Sequence, residues 1–276
     1  MSAIGTAPSS SQIGGLGSGG GSLRPLGNRP VKKKASGKNC FILVAAAALF
    51  GGLWWLGNGS SHYTWPLTIA SVYAHEMGHL LTALLMGAKV ESLHLSLMPD
   101  ITLGAEGFVR YSIAHGSRIR QALISGAGCY SQVLTGMIFV LAARHPRVSK
   151  ALLIVCAALC AFSLIYADSL VTYAVVIVLG VIAGLAAKFL KGGLLQLFMA
   201  FSGFAIAAAM LENWRYLFST DGSDMQHVSQ YLFLPTWFWG GIAFLIGVAT
   251  ILLGIWTFIM QETSDEPAQP MGLPKR

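Results

Sequence analysis

Tyr73-Ala74-His75-Glu76-Met77-Gly78-His79-Leu80-Leu81 is the stretch from which the rest of the chain takes its reading. It lies inside an otherwise apolar segment, residues 65–86, so three ionisable side chains sit where a bilayer makes charge costly and usually functional. Histidines four apart fall on one face of a helix, which lets both imidazoles reach a single zinc ion. The intervening Glu76 is then placed to take a proton from a metal-activated water, the pattern of a zinc-dependent peptidase. A bis-histidine haem site is excluded, because histidines one turn apart on a helix cannot occupy opposite sides of one iron.

Working outward, 54% of the 276 residues are hydrophobic and 11% are charged, with a mean hydropathy of +0.63. A soluble domain carries about a quarter charged residues. Apolar windows at 40–57, 65–86, 119–143, 148–167, 170–187, 193–211 and 235–260 approach or exceed the ~20 residues that span a hydrocarbon core. The fold class is therefore an all-α polytopic membrane protein of about six to seven transmembrane helices. Between the His-Glu helix and the next span, Val90, Leu93, Leu95 and Leu97 approximate an alternating run, and Pro99-Asp100 supplies a turn before residues 101–111. This reads as a small β-hairpin or extended insertion lying against the membrane domain.

Residues 1–38, rich in Gly, Ser and Pro and ending in lysines, read as a disordered basic arm; 39–260 form the membrane domain, and 261–276 a disordered tail. The net charge of +7 is spread over this arm and the loops, where it reports membrane orientation rather than a nucleic-acid partner. With the N-terminus cytoplasmic and every span crossing, more of the basic residues fall inside than outside, although Arg144, Arg147 and Lys150 run against that bias. Cys40, Cys129, Cys156 and Cys160 lie in or beside spans without a Cys-x-x-Cys pair, and read as small hydrophobes.

A catalytic zinc needs a third protein ligand and one open position. Asp221 and Asp224, three apart before the last span, are the best candidates: one can cap a helix while the other ligates, and His227 is a further option. Tyr130, Ser131 and Gln132 offer hydrogen bonds either to substrate or between helices, while His62, His94, His115 and His145 read as solvated and Asp168 as an interface between spans.

These residues resemble the site-2 protease (M50) family of intramembrane zinc peptidases. The resemblance is carried by His75-Glu76-Met77-Gly78-His79, by Ala83 and Gly87, and by the extended polar segment that follows. Residues 219–230 before Leu234-Pro235-Thr236 are similar to the M50B-like branch, in which a Ser-Asp pair, here Ser223-Asp224, opens the segment. The counterpart of the family's Asn-containing Gly-Pro segment is Gly126-Ala127-Gly128-Cys129-Tyr130-Ser131-Gln132, with neither Pro nor Asn. Thr220-Asp221-Gly222 only partly echoes its Leu-Asp-Gly-Gly.

The resemblance implies Zn2+ held by His75, His79 and Asp224, with Asp221 as the alternative ligand, and Glu76 as general base. It also implies a membrane-protein or membrane-tethered peptide as substrate. The expected setting is the lipid bilayer of a bacterial-type plasma membrane, with an organelle membrane as the other option. The competing reading is a catalytically silent membrane scaffold or a metal transporter. Intact Glu76 argues against the first, and the lack of an internal repeat or a path of ionisable residues against the second.

Overall fold

α3 (Arg118–Ala142) is the helix around which the others are arranged. Its buried residues cover most of its circumference, from Ala122 and Ile124 through Cys129 and Val133 to Met137 and Val140, and leave one exposed stripe at Leu123, Leu134 and Ile138, as expected of a helix largely enclosed by neighbours. The computed structural model describes residues 33–35, 37–56, 65–97, 105–113, 117–212, 214–220 and 222–262. Most of the N-terminal arm and of the tail, the Pro99-Asp100 turn, His62, His115 and Asp221 lie outside the described residues.

α2 (Trp65–Leu85) runs antiparallel to α3. The Ser131 hydroxyl donates to the Ala74 carbonyl (2.9 Å), and Gln132 Nε2 donates to the Ser71 hydroxyl. Small residues set the spacing: a Cβ at Gly78 would overlap the Ser131 side chain. On its other side α3 crosses α6 (Gly192–Glu212) at Gly136 and Gly203. A Cβ added to either glycine would stand 2.5 Å from the other's carbonyl oxygen, so only bare backbone permits this approach. α9 (Thr236–Ile259) packs Gly247 on Met210 and Gly254 on Met137.

α4 (Pro146–Ser163) and α5 (Leu170–Phe189) form an outer pair. They expose Ile154, Val155, Ile177, Val178, Ile182 and Leu185, a continuous apolar face that water would not tolerate and lipid would. Among the described residues, α3, α4, α5, α6 and α9 are long and apolar enough to cross a membrane. α1 (Gly37–Leu56) contributes a shorter apolar stretch, and α2, with its three ionisable groups, is not in that set. The chain is an integral membrane protein of polytopic all-α class.

β2 (Lys89–Leu97) and β3 (Ala105–Ser112) form the hairpin between α2 and α3, with Gly107 opposite Leu95 and Phe108 opposite His94. Val90, Leu93 and Leu95 turn inward and are buried. The other edge of β2 is held by the α4–α5 turn: Leu93 N donates to Tyr166 O (2.7 Å), and Leu95 N to Thr172 Oγ1 (2.9 Å). The apolar run read as a span to residue 167 thus leaves the helix at Ser163 and continues as the hairpin's neighbour.

Two expectations change. Lys33–Ala35, placed by composition in a disordered arm, form β1 and pair with β4 (Met260–Glu262), which takes in the first residues of the expected tail. Asn39 Nδ2 also donates to Phe258 O (2.8 Å). The start of α1 therefore meets the end of α9. Seven alternating crossings would separate those ends across the bilayer, so the loop-charge count that assumed them does not hold. A pairing more than 200 residues apart in sequence leaves no trace in local composition.

Candidate metal centre

α2 brings His75 and His79 to one face, their Nε2 atoms 3.2 Å apart and their rings edge to face. The C-terminal end of the helix is fixed by Gly87 at φ +74, after which Ala88 N donates to Ala83 O (2.9 Å). His79 Nδ1 lies 2.7 Å from the Ile124 carbonyl. A carbonyl only accepts, so Nδ1 carries the hydrogen and Nε2 presents a lone pair inward.

Beneath both rings runs the backbone of Gly128. A Cβ there would overlap His79 Nε2 and stand 2.5 Å from His75 Nε2. The small residues 125–128 thus serve the histidines as well as helix packing.

The third group arrives from α8 (Asp224–Leu232). Ser223 is its N-cap: the hydroxyl accepts from Gln226 N (3.2 Å) and donates to Ser219 O (2.7 Å). Asp224 Oδ2 then lies 2.9 Å from His75 Nε2, and Oδ1 lies 3.4 Å from His79 Nε2. Burial alone would raise the Asp224 pKa, but the rings of His79 and His75, when protonated, outweigh it and hold the carboxyl well below the usual range.

These three residues form a group able to hold a metal ion. Ligand atoms about 2.0–2.2 Å from a tetrahedral zinc sit about 3.3–3.6 Å from one another. The two Nε2 atoms, 3.2 Å apart, lie close to that separation, and the carboxylate sets one oxygen near each of them, Oδ2 at 2.9 Å from His75 and Oδ1 at 3.4 Å from His79.

Glu76 completes the centre. It is 5% exposed, and among the described residues its Oε2 has no hydrogen-bond partner. A buried carboxylate oxygen left unpaired is costly unless a further species is meant to meet it. β3 lies directly against this side chain: a Cβ at Gly107 would be 2.6 Å from Glu76 Cγ and 3.0 Å from Oε1.

The structure therefore brings together His75, His79, Asp224 and Glu76. His227 points away on the exposed face of α8. Ser131 and Gln132 are engaged in tying α3 to α2. Sequence reasoning missed Cys129, read as a hydrophobe, whose thiol donates to Asp224 Oδ2 (3.4 Å). It also missed the pair between His94 Nδ1 and Asp168 Oδ1 (2.8 Å), which pins β2 to the α4–α5 turn.

A family model described as Peptidase M50B-like matches residues 41–254. No curated protein and no solved structure gives a significant match.

Proposed function

The chain belongs to the Peptidase M50B-like family, a branch of the site-2 protease (M50) family of intramembrane proteases, and from that premise we propose that it is a zinc metalloendopeptidase cleaving peptide bonds in or near transmembrane segments. The observation that carries the reading is the convergence of His75 Nε2, His79 Nε2 and the Asp224 carboxylate at 2.9–3.4 Å beside the unpartnered Oε2 of Glu76. Bound zinc supplies Lewis-acid polarisation of the scissile carbonyl and activation of water.

The chain's own residues do the rest. Glu76 takes the proton of the attacking water at Oε2 and returns it to the departing amine nitrogen. The bond from His79 Nδ1 to Ile124 O keeps that imidazole in the tautomer a ligand needs. The low exposure of Glu76 and His79 keeps bulk water from the reaction. A substrate helix has to unwind before its carbonyl is open to attack. The outer edge of β3, which has no strand partner among the described residues, is suited to pairing with the unwound segment next to Glu76. The substrates are membrane proteins or membrane-tethered peptides, in a bacterial-type plasma membrane.

Zinc content of detergent-purified protein, measured with cleavage of a model membrane substrate, tests the reading. Wild type holds one zinc per chain. His75→Ala and Asp224→Ala lose it, Asp221→Ala keeps it, and Glu76→Gln keeps zinc while losing about 10²–10⁴-fold in rate. A wild type without zinc, or zinc unchanged in every variant, leaves a silent membrane scaffold in place of the protease.

A further inference from the structure

Asp224 has to keep two oxygen–nitrogen spacings, yet it sits at the end of a glycine- and serine-containing loop between α7 (Trp214–Leu217) and α8. Fixing such a segment costs backbone entropy, so something has to hold it. Gly222, two residues before Asp224, adopts φ +74. Its peptide groups are held by side chains from both flanking helices: its carbonyl accepts from Tyr216 Oη (3.0 Å), and its N–H donates to Gln226 Oε1 (2.7 Å). Gln226 also gives its own N–H to the Ser223 hydroxyl, and that hydroxyl donates to Ser219 O. Gly222 is thus stapled from before and behind, and the next two residues are the cap and the carboxylate.

We propose that Tyr216 and Gln226 are positioning residues of the metal centre, whose hydrogen bonds to the carbonyl and N–H of Gly222 set the loop that delivers Asp224 and so govern metal affinity. This rests on the reading of Asp224 as a metal ligand. The phenol is suited to the part, since an ordinary tyrosine hydroxyl ionises only near about pH 10 and so remains a donor across the physiological range. Neither residue belongs to the His-Glu motif, and neither is deep in the core, since Tyr216 is 45% exposed. Their removal is therefore a local change rather than an unfolding one.

The test uses the full chain in detergent with three variants: Tyr216→Phe removes only the hydroxyl, Gln226→Leu removes the acceptor, and Gln226→Glu restores it. Hydrogen exchange across residues 217–224 is measured on chelator-treated protein, and zinc Kd is measured by competition with a chromophoric chelator. Tyr216→Phe and Gln226→Leu speed exchange in the loop and raise zinc Kd about 10- to 100-fold, while Gln226→Glu stays near wild type. Unchanged loop exchange with Kd within about twofold of wild type overturns the proposal, as does identical behaviour of Gln226→Leu and Gln226→Glu. Zinc-free wild type sinks the protease reading and the metal role together, whereas intact zinc binding with unaffected variants sinks the positioning role alone.

Discussion

Gly128 and Gly107 both press on the centre, and they separate its two tasks. A methyl group at Gly128 enters the space of the two Nε2 atoms, whereas one at Gly107 meets the carbon chain of Glu76 and its Oε1. Gly128→Ala is therefore expected to abolish zinc retention. Gly107→Ala is expected to leave zinc in place while lowering kcat on the order of 10²-fold, the scale of a misplacement by about an ångström. Zinc analysis beside single-turnover cleavage distinguishes the two; a Gly107→Ala protein that also loses zinc would show that β3 supports the ligands rather than Glu76. The His-Glu motif was legible in the sequence because two histidines and a glutamate at fixed spacing have no cheap explanation in an apolar segment. The glycines that make room for them carried no such signal, since a glycine's neighbour across a helix crossing is invisible until the crossing is known. Cys129 was hidden for the same reason: its partner, Asp224, lies 95 residues away.

At the scale of elements, the helices fall into those set by backbone contact and those set by lipid. The α3–α6 crossing belongs to the first kind, with Gly136 and Gly203 each against the other's carbonyl and Ala207 wedged beside them. Gly203→Val is expected to destabilise the protein by about 1–3 kcal/mol, the usual cost of forcing volume into a packed site, read as a lower midpoint in detergent-to-SDS unfolding. Ile182→Val on α5, whose side chain is about half exposed towards lipid, is expected to leave that midpoint unchanged. Equal effects would mean that the crossing yields easily and that the small-residue pattern has another cause. The long apolar helices and the alternating hairpin were readable because hydrophobic length and period survive without tertiary information. The polar island at 212–230 was not. α8 has nine residues, with only Met225 and Val228 buried, too short a stripe to stand out as a period. Its helical start depends on Ser223 capping it in place.

For the whole molecule, the question is how residues 33–39 and 257–262 close around the α3 core. β1 and β4 pair antiparallel, with Lys34 opposite Gln261, and the Asn39 amide donates to the Phe258 carbonyl just inside them. Arg144 Nη1 donates to Thr257 O (2.8 Å), drawing the α3–α4 connection to the same end of α9. Three chain regions therefore meet at the bundle face remote from α8 and the hairpin, and the metal centre faces the other end. The arrangement requires residues 34 and 261 to lie on one side of the membrane. Directly opposed strand residues lie within about 5.5 Å at Cα, inside the range a disulfide bridges. In a background with Cys40, Cys129, Cys156 and Cys160 replaced by alanine, a Lys34→Cys/Gln261→Cys protein is accordingly expected to form an intramolecular disulfide on mild oxidation, visible as a mobility shift that reverses with reductant and is absent from either single variant. In intact cells or sealed vesicles, both single-cysteine variants should be labelled, or protected, from the same face by a membrane-impermeant maleimide. Labelling from opposite faces would restore seven alternating crossings and with them the original weighing of loop charges. Labelling from one face fixes the even count, and it assigns the basic cluster Arg144, Arg147 and Lys150 to the same side as residues 34 and 261.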